Sequence, residues 1–289
     1  MSTKLSVLVT GVTGKQGGAV ARALLEQGHR VAGLTRHPHG EAAYKLKELG
    51  VEPVDGDFNQ PATLKLACRD MDAVFAMSTF FEQGVAAETE QGIALARAAR
   101  ESGVKHFVYT SVGSSDLQTG LPHFESKFAV EQAVRGLDLP YTFVRPVFFM
   151  ENLLFPQNVE ALKQGQYAAP LPASRKLQQV AVADIGRFAA LAIDRRDEFV
   201  GRAYDIASEE LTGREQAEVL SRVLGRTIRY VELPIEAYRE QNKEMAATYE
   251  WFNRVGYRAP VGELRRRYPQ VGWHSYEDWA KQQDWSALG

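Results

Sequence analysis

The chain contains 289 residues, of which 34 are Lys or Arg and 36 are Asp or Glu, so its formal net charge is −2. This near balance argues against a protein dedicated to binding nucleic acid or a membrane surface. Cys68 is the only cysteine, which excludes an internal disulfide framework and a multi-cysteine metal site and fits a reducing compartment.

The apolar run near the N-terminus is short. It covers Leu5–Val9 and is followed by Gly11, whereas a membrane-spanning helix needs about 20 apolar residues and a signal peptide needs a longer hydrophobic stretch than this one. No other window of the sequence reaches the length of a membrane span. We therefore expect a soluble, cytoplasmic protein without a membrane partner.

The first two thirds of the chain alternate between short apolar runs and helical patterns. The runs predicted as strands are Ser6–Thr10, Arg30–Leu34, Glu52–Asp55, Ala73–Met77, His106–Ser111, Thr142–Val147 and Ala203–Ala207. The predicted helices between them are Gly17–Gln27, Pro61–Arg69, Glu88–Ser102 and Phe124–Arg135. Continuous apolar strands are typical of a parallel sheet covered on both faces. The alternation predicts right-handed βαβ units and an α/β fold with a doubly wound parallel (Rossmann) sheet.

The pattern changes after the sixth predicted strand. Residues 148–180 contain three prolines and little regular strand pattern, and an apolar helix follows at Ala183–Arg195. The residues beyond 208 are mainly helical and aromatic, and they include a capping box at Thr212–Glu215. At about 150 residues per domain, the length agrees with a division into two parts.

We predict two domains from these patterns. Residues 1–147 together with 183–207 form the Rossmann domain. Residues 148–182 together with 208–289 form a smaller, mostly helical lobe for a substrate or partner. The run Arg265–Arg267 is too short for a nucleic-acid patch and is interpreted as a solvated helix face. The six histidines show no metal-ligand spacing, so no metal site is expected.

A glycine-rich loop, Gly11-Val12-Thr13-Gly14-Lys15-Gln16-Gly17-Gly18, joins the first predicted strand to the first helix. Gly11 permits a tight turn, Gly14 lets the backbone approach a pyrophosphate, and Gly17 lets helix and strand pack closely. The helix N-terminus offers N–H groups and partial positive charge to phosphates. The loop predicts a dinucleotide site contacted by Gly11, Thr13, Gly14, Lys15, Gln16 and Gly17. A plain strand-to-helix turn is the structural alternative.

The residue after the second predicted strand bears on the choice of dinucleotide. An NAD-selective site usually has an acidic residue there, but this chain has Thr35-Arg36. The planar fork of an arginine suits a 2′-phosphate, so we predict NADP(H) with Arg36 as the main selector. Asp57 and Phe58, after the third strand, are expected near the adenine. The alternative for Arg36 is a solvated loop residue, and the alternative for Asp57 and Phe58 is a simple turn after a strand.

The GxxGxxG spacing of this loop resembles the short-chain dehydrogenase/reductase superfamily. Further segments resemble its atypical NmrA-like branch, and all lie between residue 5 and about residue 210. They are Gly56-Asp57, His123-Phe-Glu-Ser-Lys127, Val130-Glu131, Val144-Arg145-Pro146, Met150-Glu151-Asn152-Leu153-Leu154 and Val182-Ala183-Asp184-Ile185-Gly186. The C-terminal residues match more loosely, as expected of a lobe that varies with the ligand.

The resemblance implies NADP(H) binding and leaves two classes of function open. Some members of the family are reductases of quinones, dyes or related compounds that use NADPH. Others bind NADP(H) as co-regulators or redox sensors without known turnover. We expect an NADPH-dependent reductase of a quinone-like or other flat aromatic acceptor. The alternative is a non-catalytic NADPH/NADP redox sensor that acts through a regulatory protein.

Short-chain reductases usually place a Tyr four residues before the catalytic Lys, together with a Ser. By resemblance, Lys127 holds the nicotinamide ribose and Ser111 is the serine, but His123 replaces the Tyr. A nearby ammonium disfavours a charged imidazole, and a neutral His123 can still donate one hydrogen bond. Quinone reduction tolerates this change because the product takes its protons from water. The alternative for Lys127 is an exposed helix lysine, and that for His123 is a helix-terminal residue without a chemical role. The alternative for Ser111 is a strand-end hydroxyl that satisfies backbone groups.

The ends of the fourth and sixth predicted strands supply the remaining site residues. Ser78 and Thr79 are expected beside the nicotinamide or the diphosphate, and Pro146 is expected beside the cofactor. An aromatic wall for the acceptor is predicted from Phe80, Phe81, Phe148 and Phe149, and Asn152 is expected to tie down the following loop. Core packing between the lobes is the alternative for these aromatic side chains.

Overall fold

The computed structural model describes residues 4–288. The strands are β1 (Ser6–Val9), β2 (Arg30–Thr35), β3 (Glu52–Asp55), β4 (Ala73–Ala76), β5 (His106–Thr110), β6 (Tyr141–Pro146), β7 (Phe148–Phe149), β8 (Gln166–Ala169), β9 (Lys176–Val180), β10 (Arg202–Ile206), β11 (Glu209–Thr212) and β12 (Arg229–Glu232). The helices are α1 (Lys15–Glu26), α2 (Glu41–Glu48), α3 (Pro61–Ala67), α4 (Gly84–Glu101), α5 (Pro122–Arg135), α6 (Pro156–Lys163), α7 (Val182–Asp194), α8 (Arg196–Phe199), α9 (Gly213–Leu224), α10 (Ile235–Gln241), α11 (Lys243–Arg254), α12 (Val261–Arg267) and α13 (Tyr276–Lys281).

The main sheet confirms the predicted α/β fold. Its strand order is β10-β6-β5-β4-β1-β2-β3, and β1 through β6 pair in parallel. The apolar residues of β1 and β4 are fully buried, as expected of strands covered by helices on both faces. The strand order changes direction between β1 and β4. Ligands of open α/β sheets bind in the crevice at the carboxyl ends of such strands.

The described residues form two compact units. Unit 1 runs to Arg145 and includes Ile185–Tyr204, and unit 2 comprises Pro146–Asp184 and continues from Asp205. These boundaries lie a few residues from those expected from the sequence. Unit 1 contains an apolar core around the sheet, where burial raises the pKa of the Cys68 thiol to about 12. No helix of residues 4–288 is long and apolar enough to cross a membrane.

Unit 2 departs from the expectation of little strand structure between residues 148 and 180. β7 pairs with β9, and β9 pairs with β11, while β8 pairs with β12. These strands have two to five residues each, so a periodic pattern has little length in which to develop. Pro156 lies in the first turn of α6, where its missing N–H costs nothing.

Two carboxylates organise unit 2, the half-buried Glu151 and the buried Asp184. Glu151 accepts hydrogen bonds from the backbone N–H of Val182 and from the indole N–H of Trp279. Asp184 accepts from the Ser208 hydroxyl at 2.6 Å, and its Oδ1 lies 2.6 Å from His274 Nδ1. Buried polar groups need such partners, since an unpaired one is costly. These two motif residues therefore have structural roles in unit 2.

The interpretation of Arg265–Arg267 as a solvated face was wrong for its first residue. The guanidinium of Arg265 donates to the carbonyl oxygens of Ser208, Trp273 and His274. The sequence of a basic run does not show which backbone carbonyl groups the fold brings close to one of its arginines.

His106, at the start of β5, is expected to make the stability of unit 1 sensitive to acid. Its side chain is 2% exposed, and its Nε2 lies 2.8 Å from Thr142 Oγ1, which itself donates to the Phe199 carbonyl. Thr142 therefore accepts from Nε2–H. Burial, with a smaller effect of Arg196, lowers the pKa of His106 from 6.5 to about 4.

Acid is expected to destabilise the fold through this histidine. Below pH 6.5 the unfolded imidazole binds a proton that the folded one takes up only near pH 4, so the free energy of unfolding falls by about 3 kcal/mol across this window. His106→Gln keeps an N–H donor for Thr142 but removes the imidazole that titrates. Urea unfolding at several pH values should show a flatter pH dependence for the variant. Identical pH dependence in both proteins would contradict this assignment.

Candidate functional site

A cleft of about 490 Å³ opens in unit 1 at the carboxyl ends of β1 to β4. Its lining includes predicted cofactor residues from four separate segments: Gly11, Thr13, Arg36, Asp57, Phe58, Ser78 and Thr79. The other predicted loop residues, Gly14, Lys15, Gln16 and Gly17, lie at the N-terminal cap and in the first turn of α1. The parallel sheet brings these segments together because the carboxyl ends of its strands share one edge.

The glycine loop has the geometry that its spacing predicts. Gly11 has a φ of +62°, a conformation that costs glycine little, and the Gly14 N–H donates to its carbonyl at 2.9 Å. A Cβ on Gly17 would lie 2.3 Å from the Gly11 carbonyl oxygen. Gly14 precedes α1 without a side-chain cap, and the first turn contains no acidic residue. Such a helix end can receive an anion.

Arg36 lies on the cleft beside an acidic residue that sequence reasoning missed. Its side chain is 55% exposed, and its Nη2 lies 3.7 Å from Glu82 Oε2. Glu82 also lines the cleft. A phosphate and the Glu82 carboxylate would compete for the same guanidinium, because both are anions that bind its N–H groups.

Asp57 and Phe58 lie in the turn after β3. The Asp57 N–H donates to Thr63 Oγ1, and Asp57 Oδ1 accepts from the Asn59 N–H. Phe58 packs against the core of unit 1 while also lining the cleft. Both residues therefore have local structural contacts as well as a position on the cleft.

Lys127 is a partly buried residue of α5 rather than an exposed helix lysine. Its side chain is 14% exposed, and its Nζ lies 2.8 Å from Glu88 Oε1 on α4. The ammonium donates to the carbonyl of Ser78 at 2.7 Å and lies 5.6 Å from the centre of the Tyr109 ring. Since Ser78 lines the cleft, this hydrogen bond joins Lys127 to the cleft wall.

His123 and Lys127 both lie on α5, because this helix begins at Pro122. The His123 ring lies 5.4 Å from the Phe80 ring and 4.9 Å from the Phe124 ring. Phe80 in turn packs at 4.3 Å against Phe81, which is 82% exposed. The structure therefore places the histidine beside the aromatic pair of unit 1.

Ser111 follows β5 and is buried. Its backbone N–H donates to the Val144 carbonyl at 2.8 Å, whereas its hydroxyl has no hydrogen-bond partner among the described residues. The hydroxyl therefore does not satisfy a backbone group, which was the structural alternative for this position.

The remaining predicted residues belong to unit 2. Phe148 contacts Phe252 and Tyr249 at ring distances of 5.9 and 6.5 Å, and Phe149 pairs in β7 with Val180. The buried Pro146 ends β6. The backbone carbonyl of Asn152 accepts from the Asn158 side chain at 2.7 Å, while a role of the Asn152 side chain in its loop stays a prediction. The four-phenylalanine wall stays a prediction.

The NmrA-like family profile matches residues 3–286. The chain belongs to the NmrA-like family. An NAD(P)H azoreductase of Xenophilus azovorans is 32% identical over 240 residues, covering 81% of this chain and 79% of the relative. The NADP(H) complex of Citrobacter sp. triphenylmethane reductase has a similar fold, with a TM-score of 0.82 and 22% identity. The match covers 96% of this chain and 99% of that chain. NmrA, a negative transcriptional regulator in complex with NADP, also has a similar fold, with a TM-score of 0.77 and 23% identity. The match covers 98% of this chain and 99% of that chain.

One pair of family motifs in this NmrA-like chain fixes the helix that carries Lys127. Arg145 makes two hydrogen bonds to Glu131, at 2.8 and 2.7 Å, and its Nη1 lies 2.9 Å from Asp116. Arg145 and Glu131 are both buried. This bidentate pair ties α5 to β6, and breaking a buried ion pair costs about 3–5 kcal/mol.

Glu88 is the main site residue of this NmrA-like chain that the sequence did not reveal. It was expected only as the first residue of a helix, but α4 begins earlier, at Gly84, and Glu88 is fully buried inside it. A glutamate near a helix start is usually interpreted through the helix dipole. Glu88 is recognised only from the structure, which shows its carboxylate buried in a helix that packs against the helix of Lys127.

Proposed function

We propose that the cleft of unit 1 binds NADP(H) and that the chain is an NADPH-dependent reductase of a quinone-like or other flat aromatic acceptor. The observation that carries the proposal is the hydrogen bond from Lys127 to the carbonyl of Ser78. It joins the lysine of the family motif to the same cleft that Gly11 and Arg36 line.

The residues around the cleft fit this cofactor in their chemistry. The glycine loop and the first turn of α1 would hold the diphosphate. Small residues are required there, since a side chain on Gly17 would clash with the Gly11 carbonyl and one on Gly11 would clash with Met77. Arg36 would bind the 2′-phosphate. Phe58 would contact the adenine, and Lys127 would donate to the nicotinamide ribose.

When bound, NADPH supplies a hydride to the acceptor. For a quinone, the proton that accompanies it comes from water, so no side chain needs to act as a strong acid. His123 and Phe80 would orient the acceptor, because aromatic rings favour stacking on flat ligands. The azoreductase relative supports a reductase. Repeated NADPH oxidation in the presence of a quinone tests this function directly.

A redox sensor is the second candidate, and one observation favours it. His123 stands where short-chain reductases have their proton-donating tyrosine, while the residues expected to bind the cofactor are present. A protein that binds NADP(H) without turnover would respond to the cofactor through a shift in its conformational population. NmrA, described as a transcriptional regulator, has a similar fold.

Arg36→Ala is expected to raise the Kd for NADPH by about 10- to 100-fold, the loss expected for charge-assisted hydrogen bonds to a phosphate. The Kd for NADH should change by less than about twofold, because NADH lacks that phosphate. Titration of the intrinsic tryptophan fluorescence with each cofactor measures both constants.

Glu82→Gln is the matched partner of this variant. It removes the carboxylate that lies 3.7 Å from Arg36, so the Kd for NADPH should fall by about two- to fivefold while that for NADH stays constant. An equal loss of NADPH and NADH affinity in Arg36→Ala would show that Arg36 does not select the cofactor.

A further inference from the structure

The ammonium of Lys127 and the carboxylate of Glu88 form an ion pair inside unit 1. Lys127 is 14% exposed and Glu88 is fully buried, with 2.8 Å between Nζ and Oε1. The other carboxylate oxygen, Oε2, accepts from the Ser126 hydroxyl at 2.5 Å. We propose that Glu88 is a positioning residue that keeps Lys127 charged and orients its ammonium toward the cofactor, an inference that rests on the proposed function.

The carboxylate of Glu88 stabilises the charge of the Lys127 ammonium. Burial lowers the pKa of Lys127, and the adjacent Glu88 carboxylate raises it. From β5 the Tyr109 ring faces the ammonium, but burial raises the pKa of this tyrosine above its usual range, so the phenol stays neutral. His123 is the titratable residue one turn earlier on α5. Glu88 on α4 is therefore the group that compensates the buried charge.

Two contacts also fix the position of the Lys127 ammonium. An ammonium has three N–H donors. One is donated to the Ser78 carbonyl, and the ammonium also lies 2.8 Å from Glu88 Oε1 as an ion pair. These two contacts come from α4 and from the segment after β4, so they hold the ammonium between two separate elements. The ammonium is thereby held in place, and an N–H not used by the Ser78 carbonyl is available to a ribose hydroxyl.

The Ser126 hydroxyl provides a matched comparison. Ser126→Ala removes a hydrogen bond to the same carboxylate but leaves the contact between Glu88 and Lys127. Glu88→Gln keeps the shape of the side chain and removes its charge. If Glu88 only fills space between α4 and α5, the two variants should behave alike toward Lys127.

The test measures Lys127 in the protein without cofactor. Lysine labelled with carbon-13 at Cε reports the charge of its ammonium by NMR, and the Lys127 signal is the one missing in Lys127→Ala. We expect Glu88→Gln to lower the titration midpoint of Lys127 by about one to three pH units, whereas Ser126→Ala should leave it near the wild-type value. An unchanged midpoint in Glu88→Gln would overturn the proposal.

NADPH binding supplies the second readout. The Kd of Glu88→Gln should rise at a lower pH than that of the wild type, because a neutral lysine binds the ribose less well. Equal pH profiles would also overturn the proposal. A wild-type protein that binds no NADPH would instead refute the proposed function, while the NMR result for Glu88 would stand by itself.

A double variant keeps the proposal testable if Glu88→Gln does not fold. Replacing both partners of a buried ion pair is better tolerated than removing one of them. Lys127→Met combined with Glu88→Gln should therefore recover the folded state, as seen by circular dichroism. Failure of the double variant to recover, with each single variant unfolded, would overturn the assignment of Glu88 as the partner of Lys127.

Discussion

Lys127→Ala is expected to lower kcat/KM for NADPH-dependent reduction by about 100-fold or more, the size of effect seen when one oriented donor is removed from an active site. The same variant leaves Glu88 buried without its ammonium partner. The free energy of unfolding should therefore fall by about 3–5 kcal/mol. Steady-state kinetics and urea unfolding of one preparation measure the two effects separately.

Lys65→Ala is the matched control for this variant. Lys65 also pairs with a glutamate of α4, since its Nζ lies 2.9 Å from Glu101 Oε2, but both side chains are more than half exposed. An exposed ion pair contributes at most about 1 kcal/mol, and activity should be unaffected. Equal kinetic losses in Lys65→Ala and Lys127→Ala would contradict a specific role of Lys127.

Gly17→Ala is expected to damage both the glycine loop and the stability of unit 1. The added Cβ would lie 2.3 Å from the Gly11 carbonyl oxygen and 2.7 Å from that of Thr10. These are backbone atoms, so α1 would have to move away from the loop. Overpacking of this kind costs about 1–3 kcal/mol, and we expect the Kd for NADPH to rise at least about 10-fold.

Gly262→Ala shows what a glycine-to-alanine change does where there is room. Gly262 is exposed near the start of α12, and a Cβ there would lie 3.5 Å from the flexible end of Arg266. The stability of the Gly262→Ala variant should equal that of the wild type or be slightly higher, because alanine favours a helix. Wild-type stability and NADPH affinity in Gly17→Ala would contradict the close packing of α1 on the loop.

The sequence predicted the parts of the fold that local patterns determine. The continuous apolar runs of β1 and β4 indicated a buried parallel sheet, and Gly11 indicated the turn whose φ is +62°. The helix predicted from Phe124 contains Lys127, and in the structure it begins two residues earlier, at Pro122, so that it also contains His123. Each of these features depends on residues that are close together along the chain, so periodicity and turn chemistry were sufficient.

The contacts that define the site depend on residues far apart in sequence. Nothing around Glu88 or Lys127 indicates that they meet, and nothing around Arg36 indicates Glu82 as its neighbour. Both pairs arise only when the sheet aligns its segments. α2 was also missed, since only Ala43 and Leu46 of this short helix are buried.

The family motifs also divide by role. Glu131 with Arg145, and Glu151 with Val182, make contacts that hold the fold together. Gly11 lines the cleft, and Lys127 binds the carbonyl of Ser78, a further residue of the cleft wall. A resemblance carried by both kinds of motif therefore identifies the family and the cleft more directly than it identifies the acceptor.

The most direct test of the reductase function is NADPH oxidation with a panel of quinones and a triphenylmethane dye, at several protein concentrations. Loss of the absorbance of the reduced nicotinamide is followed over time. We expect many turnovers per protein chain with at least one acceptor, at a rate proportional to protein concentration and lost in Lys127→Ala. Tight NADPH binding without turnover of any acceptor would contradict the reductase and favour the redox sensor.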